Sequence, residues 1–162
     1  RPDHRGDHRG AAADRDLLRR AAAITANGSL IDAVLASNDG TAGGAIQALS
    51  EEGMAGKVLV TGQDAETVAL QRIAVGTQAM TIYKPLETLA RGAAELAVQM
   101  ASRRVVVAKQ TVDNGHGPVP SVLYDVVTVT RDNMLETVVR DGQASYDDVY
   151  RGIADAQRPP RP

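Results

Sequence analysis

Three polar side chains close three apolar runs in this sequence, and their types suit one kind of chemistry. The run Leu30–Ser37 (LIDAVLAS) leads into Asn38, Lys57–Thr61 (KVLVT) leads through Gly62 and Gln63 into Asp64, and Gln78–Tyr83 (QAMTIY) leads into Lys84. An amide, a carboxylate and an ammonium together offer donors and acceptors, with opposite charges that can neutralise each other. A neutral polyhydroxylated ligand needs that mixture, because each hydroxyl is one donor and two acceptors. A buried hydroxyl left without partners costs about 1–3 kcal/mol, and charged partners make the stronger bonds. Plainer readings stand beside this one. Asp39, Thr41 and Asp64 occupy places where helix N-caps occur, and Asn38 suits a turn. Lys84 at a helix start opposes the helix dipole, which favours a purpose beyond solvation.

Other chemistries find little support. The chain has no cysteine, so disulfides, thiolate catalysis and cysteine zinc sites are excluded. Gly43-Gly44 opens a helix after a strand, but neither a dinucleotide fingerprint nor a phosphate loop is present, and close helix–strand packing explains the pair better. His4 and His8 lie four apart in a glycine-bearing leader with no helix to fix a metal geometry, and His116 is isolated in a loop. No nucleophile elbow occurs, and Asp113-Asn114-Gly115 reads as a turn. A net charge of −2 supplies no field toward nucleic acid or anionic lipid. The only aromatics are tyrosines, so a pocket made by this chain alone offers few stacking faces. No cofactor or metal is implied, and nothing points to an enzyme.

The elements that must position these residues follow from periodicity. Residues 1–13, with the tandem DHRG of Asp3–Gly10, read as a disordered leader, and the proline-rich 151–162 as a disordered tail. Helical spacing predicts helices over Asp14–Ala26, Gly40–Glu52, Ala65–Val75 (closed by Gly76) and Pro85–Ser102. The apolar runs between them predict strands covered on both faces. Val105–Val112 reads as extended, Asp113–Pro120 as a loop, Ser121–Val129 as a further strand and Arg131–Arg140 as a short helix. Alternating strands and helices indicate an α/β fold, a parallel sheet flanked by helices. Right-handed crossovers then place every strand's carboxyl end on one edge, where ligands of such sheets bind. That edge is where Asn38, Asp64 and Lys84 fall. The helix Pro85–Ser102 carries a broad apolar stripe of Leu86, Leu89, Ala90, Ala93, Leu96, Ala97 and Met100, which covers either the sheet or something outside this chain.

The stretches IDAVLASNDGTAGGAIQAL, KVLVTGQDAE, GTQAMTIYKP and VPSVLYDVVTVTRDN, in this order and at these spacings, resemble the carboxyl-terminal half of bacterial D-xylose-binding proteins. Those are sugar-binding subunits of ABC transporters with the type I periplasmic-binding-protein fold. The resemblance covers the chain from about Ile24 to Tyr150. It implies a sugar-binding lobe over residues 14–150, with 85–102 as a crossover helix that packs on a second lobe. It also implies that Asn38, Asp64 and Lys84 contact the sugar, and that the protein is a non-catalytic receptor that docks on a membrane permease. The implied location is the periplasm or the outer face of the cell, although the charged start shows no signal peptide. Relative to the family the amino-terminal lobe and its sugar contacts are missing, and residues 1 to about 20 do not read as family sequence. The exposed helix 85–102 is then expected to promote self-association. Three alternatives stay open: the sugar-sensing domain of a transcription regulator, a small α/β enzyme, for which no nucleophile, metal cluster or phosphate loop speaks, and a non-functional fragment.

Overall fold

As far as α3 the strands and helices form where the sequence predicts them, with shorter strands; beyond it the elements depart from prediction. The computed structural model describes residues 22–27 and 30–161. A helical stretch at 22–27 places Ile24 in the core. The expected start of that helix at Asp14, and the leader 1–13, lie outside the described residues. Strand β1 is Ala33–Val34, followed by helix α1 (Asp39–Glu51), β2 (Leu59–Val60), α2 (Thr67–Val75) and β3 (Thr81–Tyr83). Then come α3 (Leu86–Ala101), β4 (Gln110–Asp113), β5 (Pro118–Ser121), β6 (Val127–Val129) and α4 (Tyr146–Val149). The chain divides into two units, one of residues 1–83 with 128–162, the other of residues 84–127.

In the first unit β1 and β2 run parallel, with Ala33 opposite Leu59 and Val34 opposite Val60. The continuation of β2 bridges in parallel to β3 through Gln63 and Ile82. Ala79 N donates to Val60 O at 2.9 Å and Ile82 N to Gly62 O at 3.2 Å across the same seam. Strand β6 pairs with β3. One face of the β1–β2 pair is sealed by α1, whose Ala42, Ala45, Ile46, Ala48 and Leu49 join Ala36, Val58 and Val60 in a continuous core. Helix α2 buries Ala69, Leu70, Ile73 and Ala74 and stops at Gly76, whose φ of 87° suits a residue without a Cβ. Gln71 Nε2 on α2 donates to Asp148 O of α4 at 2.8 Å, tying the carboxyl-terminal helix to the unit.

Four sequence expectations are corrected. Strands β1 and β2 are not covered on both faces, for Leu35 is 88% and Leu59 63% exposed while their neighbours Ala36, Val58 and Val60 are buried. Alternate side chains point to opposite faces, and among the described residues only the α1 face is covered. Ser121–Val129 is not one strand: β5 ends at Ser121, and Val122, Leu123 and Val126 are exposed before β6 begins. The loop Asp113–Pro120 is the tip of an antiparallel hairpin in which Asp113 pairs with Pro118 and Thr111 with Pro120. Two prolines two residues apart lose their N–H on the same edge of the ladder, which an edge strand tolerates. Arg131–Arg140 forms turns and a π-helical segment, Leu135–Val139, in place of a regular helix.

The last residues also have structure, where composition suggests disorder. Asp155–Gln157 makes a 3-10 turn, Tyr146 Oη donates to Pro159 O at 2.6 Å, and Arg158 Nε donates to Ile153 O at 2.7 Å. The prolines stop any helix, but their carbonyls still accept.

The second unit contains α3 and the β4–β5 hairpin. Only Gly92 of α3 is buried. The Tyr124 phenol lies so close to Gly92 that a Cβ there would overlap it. Leu86, Val98 and Met100 are each more than 60% exposed, so the apolar stripe stays largely uncovered.

Candidate functional site

The parallel arrangement of β1, β2 and β3 puts their carboxyl ends on one edge, and backbone bonds join the loops after the first two. Asp39 N donates to Gln63 O at 2.8 Å, so the end of β1 is held against the end of β2. Asn38 and Asp64, both half-buried, flank this junction in their respective loops. Lys84, also half-buried, follows β3 directly in the chain and is the first residue of the second unit.

Asn38 turns out to be the cap. Thr41 N donates to Asn38 Oδ1 at 2.9 Å and Asn38 N donates to Thr41 Oγ1 at 3.2 Å, a reciprocal capping box at the start of α1. These bonds engage only Oδ1. Among the described residues no partner is recorded for the two donors on Nδ2.

Asp64 is not a cap, since Glu66 holds that position on α2 and makes no side-chain capping bond. Its backbone is unusual instead. Asp64 has φ 102° and Ala65 φ 51°, both in the region that favours glycine. Such residues cost about 1–3 kcal/mol each and persist only when their surroundings over-determine them. Here three successive amides are tied down. Asp64 N donates to Ile82 O at 2.9 Å, Ala65 N to Thr81 Oγ1 at 3.2 Å, and Glu66 N to Asp39 Oδ2 at 3.0 Å.

Behind this edge lies a polar network that sequence reasoning missed. Asp39 is fully buried. Its Oδ1 accepts from Gln78 Nε2 at 2.8 Å, and its Oδ2 accepts from Thr81 Oγ1 at 2.9 Å as well as from Glu66 N. Arg72 of α2 donates Nη2 to Asp39 O at 2.8 Å and Nε to Gln78 Oε1 at 2.9 Å. Burial lowers the Arg72 guanidinium from its ordinary value, and the charges of Asp39 and Glu66 oppose that shift. Gly62 is required at its position, because a Cβ there would run into the Asp39 carboxylate and the Gln78 amide. One signal was available in the sequence: Gln78 and Thr81 interrupt the apolar run QAMTIY, and polar groups in a buried strand need partners.

The remaining polar residues considered from the sequence do not join this edge. His116 is exposed at the hairpin tip, its N–H donating to Asn114 Oδ1 at 3.0 Å. Gly115 N donates to Asp113 Oδ1 at 2.8 Å, so Asp113-Asn114-Gly115 is a side-chain-braced turn. His4 and His8 lie outside the described residues.

Comparison with known proteins places this α/β chain in a family. A family described as periplasmic binding protein domain matches residues 11–104. The chain belongs to that family. The match begins at residue 11, inside the stretch to about Arg20 that the sequence alone suggests is foreign to it. The D-xylose-binding periplasmic protein of Escherichia coli (strain K12) is 52% identical over 120 residues, covering 74% of this chain and 36% of that protein. The D-xylose-binding periplasmic protein of Haemophilus influenzae (strain ATCC 51907 / DSM 11121 / KW20 / Rd) is 48% identical over 128 residues, covering 79% of this chain and 39% of that protein. The crystal structure of a carbohydrate transporter solute binding protein from Chloroflexus aurantiacus, in complex with D-glucose, has a TM-score of 0.75 at 34% identity. That superposition covers 84% of this chain and 41% of the other. The chain thus spans about two fifths of the length of the relatives it matches. Its α/β architecture agrees with one lobe of a type I periplasmic binding protein, and the family consists of non-catalytic transport components.

Proposed function

We propose that this chain supplies one side of a monosaccharide-binding site, that D-xylose is its ligand, and that Asn38, Asp64 and Lys84 are its contacts. The observation that carries the reading is the backbone of Asp64. A position with φ 102° suits glycine, yet a carboxylate stands there, at the end of a strand on the ligand edge. Strain of this kind concentrates at ligand clamps. The names of the relatives support the sugar: two are D-xylose-binding proteins and a third was solved with D-glucose.

In this reading Asp64 accepts protons from sugar hydroxyls, Lys84 donates to ring or hydroxyl oxygens, and Asn38 donates through Nδ2 while its Oδ1 caps α1. The sugar closes between this edge and a second lobe, and its differential affinity shifts the open–closed population. The closed form docks on a membrane permease, in the periplasm or at the outer cell face.

The test is a D-xylose titration of the ¹⁵N-labelled chain followed by amide shifts. Weak, saturable shifts centred on Asn38, Asp64 and Lys84 are expected, because one lobe supplies only part of the contacts and does not exclude water. No response at these amides overturns the assignment, and micromolar binding by the isolated chain overturns the need for a second lobe. In a chimera completed with the amino-terminal lobe of the E. coli relative, Asp64→Gly is expected to cost more than about 2 kcal/mol of sugar affinity. An unchanged dissociation constant by calorimetry removes Asp64 from the site.

A further inference from the structure

We infer that Asp39, which is too deeply buried to touch a ligand, is the positioning residue that holds Asp64 in its binding conformation. The inference rests on the reading in which Asp64 contacts the sugar. Asp39 is 0% exposed, yet its groups reach the loops after β1 and β2 and the beginning of β3. It stands at the first position of α1, after β1, and its N–H bonds the Gln63 carbonyl after β2. Its carboxylate takes Glu66 N from the far side of the Asp64–Ala65 turn, and Gln78 Nε2 and Thr81 Oγ1 from the β3 segment.

Thr81 acts as a relay. Its hydroxyl donates its one proton to Asp39 Oδ2, which leaves a lone pair to accept Ala65 N. The two positive-φ residues are therefore held at their carboxyl-terminal side by one carboxylate, directly at Glu66 and through Thr81 at Ala65, while Asp64 N is held by Ile82 O. Gln78 is oriented by Arg72, whose Nε donates to Oε1 and so turns the amide donors toward Asp39. Every partner of the carboxylate is a donor. An asparagine at 39 would set its own NH₂ against at least one of them, so Asp39 is not interchangeable with its isostere.

The test uses the whole 162-residue chain, ¹⁵N-labelled, with D-xylose as the probe. The variants are Thr81→Val, Thr81→Ser and Asp39→Asn. Valine keeps the shape of threonine but removes both relay bonds, and serine keeps both. In Thr81→Val, amide exchange at Ala65 and Glu66 is expected to speed up about tenfold while the α1 amides Ala45–Leu49 keep their protection. The xylose-induced shift of the Asp64 amide is expected to fall with it, and Thr81→Ser is expected to restore both. Asp39→Asn is expected to lose the xylose response at Asp64. A Thr81→Val chain whose Ala65 and Glu66 amides exchange as slowly as in the parent overturns the inference, as does a folded Asp39→Asn chain with the parent's response. If neither variant folds, the parent alone decides: Ala65 and Glu66 amides that exchange at the rate of an exposed loop overturn the clamp, and protected ones support it. A parent with slow exchange but no xylose response at Asp64 refutes the sugar assignment and leaves the clamp standing, so the two failures are distinguishable.

Discussion

A carboxylate on glycine-like backbone makes opposite demands on stability and binding, and substitution at Asp64 separates them. Asp64→Gly relieves the positive φ and is expected to raise stability by about 1 kcal/mol in chemical denaturation, while it removes the proposed sugar acceptor. A loss of stability would show that the side chain serves the fold. Gly62 presents the reverse case. Gly62→Ala drives a methyl group into the Asp39 carboxylate and Gln78 amide, and is expected to cost about 2 kcal/mol or more in the same assay. Tyr150 offers a titration readout of the carboxyl-terminal packing. Burial first, and then Tyr146, raises its hydroxyl above the ordinary value near 10. A raised native value favours the protonated form, so its contribution to stability is whole below about pH 10 and is lost as pH rises through the native value. Ultraviolet titration of the four tyrosines is expected to show a late-ionising component that shrinks in Tyr150→Phe. An unchanged late component excludes Tyr150 as its source.

At the scale of elements, Asn38 caps α1 and is the proposed sugar contact, and the capping box shows how to tell the two roles apart. Serine caps a helix about as well as asparagine, whereas alanine costs about 1 kcal/mol. Asn38→Ser is therefore expected to keep the thermal stability of the parent and to lose sugar response at residue 38, since it lacks the Nδ2 donors. Asn38→Ala is expected to lose both. Equal sugar response in Asn38→Ser and the parent would confine Asn38 to capping. The capping box was within reach of sequence reasoning, because Asn38 and Thr41 stand at the right spacing. The choice between Asn38, Asp39 and Thr41 as the cap was not, since it depends on where α1 leaves the sheet. Asp64 misled for a similar reason: its position before α2 resembles a cap, but the turn carries the chain two residues further, to Glu66, before the helix starts.

At the scale of the molecule, the exposed face of α3 is expected to promote self-association. Leu86, Val98 and Met100 lie open on a helix that buries only Gly92, an apolar surface that favours association. Concentration-dependent growth in mass by light scattering is expected for the parent chain, and it is expected to diminish when Leu86 and Met100 are both replaced by glutamate. A parent that stays monomeric at high concentration overturns this.

Periodicity alone determined the order of strands and helices as far as α3, the small-residue face of α1, the Gly76 stop of α2 and the α/β class. These are local consequences of side-chain spacing, which neighbouring residues in the chain carry among themselves. The proposal of Asn38, Asp64 and Lys84 as contacts also came from the sequence, because a parallel sheet sends every strand's carboxyl end to one edge. Only the tertiary structure decided which faces are covered, for a run such as LIDAVLAS looks the same whether one side or both are buried. It alone disclosed Asp39 as a hub, since Gln78 and Thr81 lie 39 and 42 residues away. A buried carboxylate is stable only when distant donors converge on it, and no short-range pattern records that convergence.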